Sequence, residues 1–120
     1  MEHAFTSFML ILTAHFVGDF IFQTDRQAKG KSTSVDILAE HILTYSIPIS
    51  LVGFFLLPMN FALLWVMINA GLHFITDFFT SKLNSYLWKQ GRTHDFFVSV
   101  GFDQLIHYFC LIGTFTILTK

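Results

Sequence analysis

Long runs of apolar residues separated by short polar stretches make up this chain. A helix needs about 20 mostly apolar residues to cross the hydrocarbon core of a bilayer, because each residue adds only about 1.5 Å. Four runs are long enough, at residues 4–23, 37–57, 61–84 and 96–118. The pattern predicts an all-α fold, with one integral membrane domain over residues 1–120 and four transmembrane helices forming a bundle.

The first apolar run differs from a signal peptide. Glu2 and His3 stand where a signal peptide carries basic residues, and His15 and Asp19 interrupt the apolar stretch. We therefore interpret this run as a retained membrane span.

The polar connections between the spans predict an orientation. Residues 24–36 and 85–95 are long and basic, whereas a short turn at Pro58 joins the second and third spans. Lys and Arg concentrate on the cytoplasmic side of membrane proteins. Except for Lys120, the cationic residues lie in or beside the two long connections: Arg26, Lys29, Lys31, Lys82, Lys89 and Arg92. The pattern predicts that both long connections are cytoplasmic and both termini lie outside.

Composition agrees with a membrane protein and excludes several other classes. Hydrophobic residues make up 53% of the chain and charged residues 12%, against about 25% charged in soluble domains. The net charge of −1 gives no basic excess, so no nucleic acid partner is predicted. The single cysteine, Cys110, excludes an intrachain disulfide and a thiolate metal cage. The predicted partner is the lipid bilayer. The sequence does not decide whether the chain forms a homo-oligomer, because glycines in the spans permit close helix contacts within or between chains.

A short motif occurs twice in the chain. Residues 15–20 read HFVGDF and residues 73–78 read HFITDF, on the first and third spans. The span that follows each copy carries its own histidine, His41 or His107. The repeat predicts two helical hairpins related by duplication, with the same orientation in the membrane.

Polar residues on the spans recur at helical spacing. Residues four apart share one helix face, and lipid cannot solvate such a face, so it must turn into the bundle. Each group also falls in the cytoplasmic half of its span, which predicts that all meet in one layer. These groups are His15 with Asp19, His73 with Asp77, Asp103 with His107, and His41.

Three aspartates inside a bilayer require positive charge nearby. Because no Lys or Arg occupies the interior of a span, we expect protonated imidazole, a carboxyl proton or a metal ion. Imidazole and carboxylate are ligands of Zn, Mn, Fe or Ni, so the pattern favours a divalent metal of this group. The candidate ligands are His15, Asp19, His41, His73, Asp77, Asp103 and His107, and the candidate catalytic residues are Asp19, Asp77 and Asp103.

Three functions remain open from the residues alone. A metal ion with an open coordination position can activate water for hydrolysis of an ester or phosphoester, with Lys29 or Arg26 attracting an anionic head group. The same groups could instead relay protons or divalent cations through a channel or transporter. They could also pack by hydrogen bonds between helices in a non-enzymatic interaction protein.

Several segments together resemble a known family. They are residues 15–25 followed by Lys29, then His41, residues 73–77 and residues 103–107. They resemble the domain-of-unknown-function 3307 family, small bacterial and phage membrane proteins without an assigned activity. The resemblance implies four helices in a prokaryotic or phage-encoded inner-membrane setting. The chain is more faintly similar to membrane-bound metal-dependent hydrolases, which implies hydrolysis.

Overall fold

The computed structural model describes residues 2–120, and that part of the chain is helical without strands. Helix α1 continues into a π-helical turn, and these two elements together are called the first span. The elements are α1 (Glu2–Phe16), the π-helical turn (Val17–Ile21), α2 (Asp25–Gly30), α3 (Val35–Leu56), α4 (Met59–Lys89) and α5 (Thr93–Leu118). Four segments are long and apolar enough to cross a membrane: His3–Ile21, Val35–Leu56, Met59–Lys89 and Thr93–Leu118. The predicted all-α bundle is confirmed, and its four long apolar segments agree with the four predicted spans.

The connection between the first span and α3 contains a short helix that the sequence pattern did not predict. Helix α2 begins with a capping box at Thr24, whose hydroxyl accepts a hydrogen bond from the backbone N–H of Gln27. The Gln27 side chain accepts one from the Thr24 backbone N–H in return. The two bonds satisfy free N–H groups at the helix start, so residues 25–30 fold as a helix at the end of the bundle.

The first copy of the repeated motif passes from α1 into the π-helical turn at Val17, whereas the second copy stays α-helical within α4. Gly18 lies in the π-helical turn, directly against α3. A Cβ atom at Gly18 would lie 2.8 Å from Cδ2 and 2.9 Å from the carbonyl oxygen of Tyr45, so only glycine permits this approach. Thr76 takes the equivalent place in α4. The two copies share a sequence pattern and differ in backbone, and the duplication itself stays a prediction.

The half of the bundle remote from α2 is filled by apolar side chains. Its buried cluster joins α1, α3, the start of α4 and the end of α5, and includes Ile11, Ile49, Trp65, Leu111 and Phe115. Trp65 is a member of this cluster. Its ring is fully buried and its indole N–H donates to the carbonyl oxygen of Leu111 at 3.2 Å.

A candidate metal centre within the helix bundle

The seven predicted site residues meet inside the bundle. The first span, α3, α4 and α5 each contribute to the group, and no member is more than 6% exposed. The predicted inward orientation of the polar rows is therefore confirmed. The buried residues are His15, Asp19, His41, His73, Asp77, Asp103 and His107.

Four of these residues face a common point. Nε2 of His41 and Nε2 of His73 are 3.3 Å apart. Oδ1 of Asp19 lies 3.1 Å from the His41 nitrogen and 3.5 Å from the His73 nitrogen. Oδ2 of Asp77 lies 3.4 Å and 3.2 Å from the same two atoms. Ligand atoms about 2.0–2.1 Å from a tetrahedral zinc ion are about 3.3 Å from one another, and these five distances are close to that value. The four residues are called the tetrahedral group below.

A second group lies beside the first and shares carboxylates with it. Asp19, Asp103 and His107 each offer one ligand atom, all within 4.8 Å of one another. Nε2 of His107 lies 3.3 Å from Oδ1 of Asp103 and 3.1 Å from Oδ1 of Asp77. Asp77 thus directs one oxygen to each group, and Asp19 belongs to both. Helical bundles hold dinuclear centres with shared carboxylates of this kind.

His15 lies at the edge of the centre, and both of its ring nitrogens already have partners. The Gln104 amide donates to Oδ2 of Asp19 at 2.8 Å and to Oδ2 of Asp103 at 3.2 Å. Because ionised carboxylates only accept, these bonds fix the amide orientation. His15 then donates from Nε2 to Oε1 of Gln104 at 2.6 Å and accepts at Nδ1 from the Tyr45 hydroxyl at 2.8 Å. Neither nitrogen is free for a metal in this arrangement, and its predicted role as ligand stays a prediction.

Aromatic packing orients the two facing histidines. A metal-bound histidine usually donates its second N–H to a carbonyl or carboxylate. Nδ1 of His41 and Nδ1 of His73 have no such partner among the described residues. Instead the His73 ring stacks on His107, with centroids 3.9 Å apart and an interplanar angle of 10°, and lies 4.0 Å from the Tyr45 ring.

A lysine from outside the spans enters the centre. Lys31 follows α2, and its Nζ lies 2.8 Å from Oδ2 of Asp77. Burial lowers the pKa of Lys31, but the carboxylates of Asp77 and Asp19 outweigh burial and raise its pKa above the ordinary value of 10.5. The expectation that positive charge comes only from protons or a metal is therefore incomplete, since a charged ammonium group already neutralises part of the site.

The net charge of the centre and an unpaired carboxylate oxygen both favour binding of a further cation. With neutral histidines, three buried aspartates and Lys31 leave two negative charges. One divalent cation, or two protonated imidazoles, would balance them. Oδ1 of Asp19, which faces both histidines of the tetrahedral group, makes no hydrogen bond with the described residues. A buried carboxylate oxygen without a donor is costly, so the donor set fits a cation at this point.

The centre opens toward one end of the bundle. A cavity of about 530 Å³ lies next to α2 and reaches Asp19, Asp103 and Gln104, with Lys29 and Lys31 also in its wall. On the other side, the apolar cluster of Ile11, Tyr45, Trp65 and Leu111 closes the bundle. Access to the buried carboxylates is therefore one-sided in the described chain. The two basic connections lie at this same end, in agreement with the predicted topology, whose assignment to the cytoplasm stays a prediction.

Sequence reasoning missed three residues that complete the site. In the sequence, Lys31 is one of several cations in a polar connection. Gln104 follows Asp103 directly, but no pattern assigns it to the site. Thr80 donates its hydroxyl hydrogen to Oδ1 of Asp103 at 2.6 Å. Of the two cations proposed to attract a head group, Lys29 lines the cavity, whereas Arg26 pairs with Glu40 on the surface.

Comparison with known proteins places the chain in a family without supplying an activity. No curated protein and no solved structure matches it. The family model described as "Protein of unknown function (DUF3307)" matches residues 7–120, which confirms the resemblance found in the sequence. This four-span chain with a buried His/Asp centre therefore belongs to the DUF3307 family.

Proposed function

We propose that this protein is a metal-dependent membrane hydrolase that acts on an ester or phosphoester. The observation that carries the proposal is the cavity that joins buried ligand atoms to one end of the bundle while the other end is closed. A hydrolase needs one route for substrate and product to a metal centre, and this arrangement provides one.

The tetrahedral group supports binding of a divalent cation by Asp19, His41, His73 and Asp77. Mixed imidazole and carboxylate donors suit Zn, Mn, Fe or Ni. Asp103 and His107 of the second group lie beside this position and stay available for other roles. When bound, a divalent cation would polarise a carbonyl or phosphoryl oxygen and lower the pKa of bound water.

The chain's own residues divide the remaining work. Asp103 lines the cavity, and its two oxygens are fixed by the Thr80 hydroxyl and the Gln104 amide. In this position its carboxylate can hold a proton from water at the cavity floor, which makes Asp103 the candidate general base. Oδ1 of Asp19 lies near the nitrogens of His41 and His73. Asp77 has one oxygen near the same two nitrogens and the other near His107. We therefore assign both aspartates to metal binding.

A channel or transporter would need a polar path through the far half of the bundle. That half contains Tyr45, Ile49, Trp65 and Phe115, which are 0–7% exposed and pack in one apolar cluster. The one-sided access supports hydrolysis over transport by a single chain.

Elemental analysis of protein purified in mild detergent without chelator tests the proposal. We expect at least one divalent transition metal per chain, loss of metal in His41→Ala, and retention in His94→Ala, which removes an exposed histidine outside the centre. Fluorogenic ester and phosphodiester amphiphiles then test for hydrolysis, which a chelator should abolish. A folded wild-type protein without metal would overturn the proposal, and cation flux in liposomes without hydrolysis would favour a transporter.

A further inference from the structure

We propose that the cavity beside the metal centre binds the phosphate-bearing head group of a membrane amphiphile, whose acyl chain leaves between the first span and α5. The inference names the substrate class of the proposed hydrolase. The inference depends on the proposed function for hydrolysis of the bound ligand. Binding of the ligand does not depend on it.

The cavity wall has an apolar part and a polar part. Phe20 of the first span, Trp88 of α4, and Phe96 and Phe97 of α5 supply large apolar surfaces. Polar groups occupy the remainder, on Gln23, Ser32, Ser81, Asn84 and Ser85. A soluble phosphoester would use only the polar part, whereas an amphiphile uses both.

Lysines and aspartates both line the polar part, where Lys29 and Lys31 offset the carboxylates of Asp19 and Asp103. Arg26 and Arg92 are neutralised by salt bridges to Glu40 and Asp95. Lys29, in contrast, forms no salt bridge with the described residues and lies in the cavity wall next to Lys31. Lysine binds phosphate as a point charge, so Lys29, the lysine of the wall without a carboxylate partner, can bind an anionic phosphate.

Unpaired polar atoms in the same wall indicate a polar ligand. Oε1 of Gln23, Oγ of Ser81 and Oδ1 of Asn84 are buried and make no hydrogen bond within the part of the chain described. All three residues line the cavity. Buried polar groups are normally paired: the Ser81 hydroxyl can donate to a phosphate oxygen, and the two amide oxygens can accept from a P–OH or hydroxyl group of the head group.

A lateral opening gives the acyl chain its route. No Cα atom of the π-helical turn lies within 8 Å of a Cα atom of α5, so the two backbones stand apart on the cavity side, and the Gln104 side chain spans part of this gap to reach Asp19. Phe20 and Phe97, at the two edges of this gap, are 49% and 62% exposed. Tyr86 and Trp88 are exposed at the same end of α4, as aromatic residues are at the lipid–water interface. The cavity therefore lies at head-group depth and faces lipid.

Binding of dihexanoyl phosphatidic acid to the full chain in maltoside detergent tests this inference, with native mass spectrometry and calorimetry as readouts. We expect one bound lipid per chain. Lys29→Gln should weaken binding by about tenfold, since it removes a charge-assisted contact, and Val100→Trp should abolish binding by filling the cavity. Lys89→Gln, an exposed lysine outside the cavity wall, is the matched control and should bind like the wild type.

Two further probes test whether the cavity recognises the phosphate, the apolar part of the lipid, or both. Inorganic phosphate that binds as tightly as the lipid would show that only a soluble anion is recognised, and dihexanoylglycerol that binds equally would show that charge plays no role. Either result overturns the inference, as does lipid binding unaffected by Lys29→Gln and Val100→Trp. Each titration is repeated with EDTA. A wild-type chain that carries no metal as purified and still binds lipid would overturn the hydrolase alone, whereas a metal-loaded chain that binds no lipid would overturn the cavity assignment alone.

Discussion

The ammonium group of Lys31 and the carboxylate of Asp77 form an ion pair in the bundle, 2.8 Å apart, although the two residues lie on different elements and 46 positions apart. Asp77 is 1% exposed and Lys31 15% exposed. The Lys31 ammonium group therefore places a positive charge beside the tetrahedral group, where it competes with any cation that binds.

Lys31→Met should destabilise the metal-free protein. Loss of the ammonium group leaves the buried Asp77 carboxylate with less compensation, and we expect about 3 kcal/mol lower free energy of unfolding. Titration with SDS, followed by circular dichroism in the presence of EDTA, measures it. Lys89→Met, at an exposed site, should stay within about 0.5 kcal/mol of wild type. Equal effects of the two variants would show that the Lys31 pair contributes no net stability.

The same variant should bind a divalent cation more tightly than the wild type. Removing one positive charge makes the site more negative, and the attraction for a cation increases with that charge. Zinc titrations of the two proteins after chelator removal provide the comparison. Weaker zinc binding by Lys31→Met would mean that the ammonium group organises the ligands rather than competing with the ion.

Chelation should lower the thermal stability of the purified protein. A ligand that binds only the folded state stabilises it by about 2.7 kcal/mol at one hundred times its dissociation constant. We expect EDTA to reduce the melting temperature and excess zinc or manganese to restore it, with no response in Asp19→Asn combined with His73→Ala. The same melting temperature with and without EDTA, in a protein shown to carry metal, would contradict a site formed by these residues.

Gln104→Leu should weaken metal binding while the bundle stays folded. The amide donates to Asp19 and Asp103 and accepts from His15, so its loss frees the carboxylates that it orients. Partners of metal ligands typically contribute about 10–100-fold in metal affinity, and we expect a decrease in that range by competition with a fluorescent chelator. Gln90→Leu, an exposed change after α4, should have no effect.

Gly18→Ala should disturb the packing of the first span against α3. The added methyl group meets the Tyr45 backbone oxygen at 2.9 Å, which cannot move as a flexible side chain would. Overpacking of this kind costs about 1–3 kcal/mol. Gly71→Ala is the matched control, because a Cβ atom there has no neighbour within 4 Å. Its stability in SDS titration should equal or exceed that of the wild type, while Gly18→Ala should unfold earlier.

The local pattern of the chain predicted the four spans and most of the centre. Hydrocarbon thickness sets the length of an apolar run, and the fourfold spacing of His73 with Asp77 or Asp103 with His107 places each pair on one helix face. Since lipid cannot solvate such faces, their burial followed without knowledge of the neighbouring helices. Both properties depend on helix geometry and solvent alone, so the sequence by itself determined the all-α bundle and its buried His/Asp layer.

Tertiary structure decided how that layer is completed. Lys31 and Gln104 have no periodic signal, because their partners Asp77 and Asp19 lie far away in sequence. Trp65 lies near one end of its span, where aromatic residues often meet the membrane interface, yet helix packing buries it. The close approach of Gly18 to Tyr45 joins two different helices. Periodicity specifies which face of a helix turns inward, but the distances between helices, which set ligand geometry, cavity and charge balance, arise only when all four spans pack together.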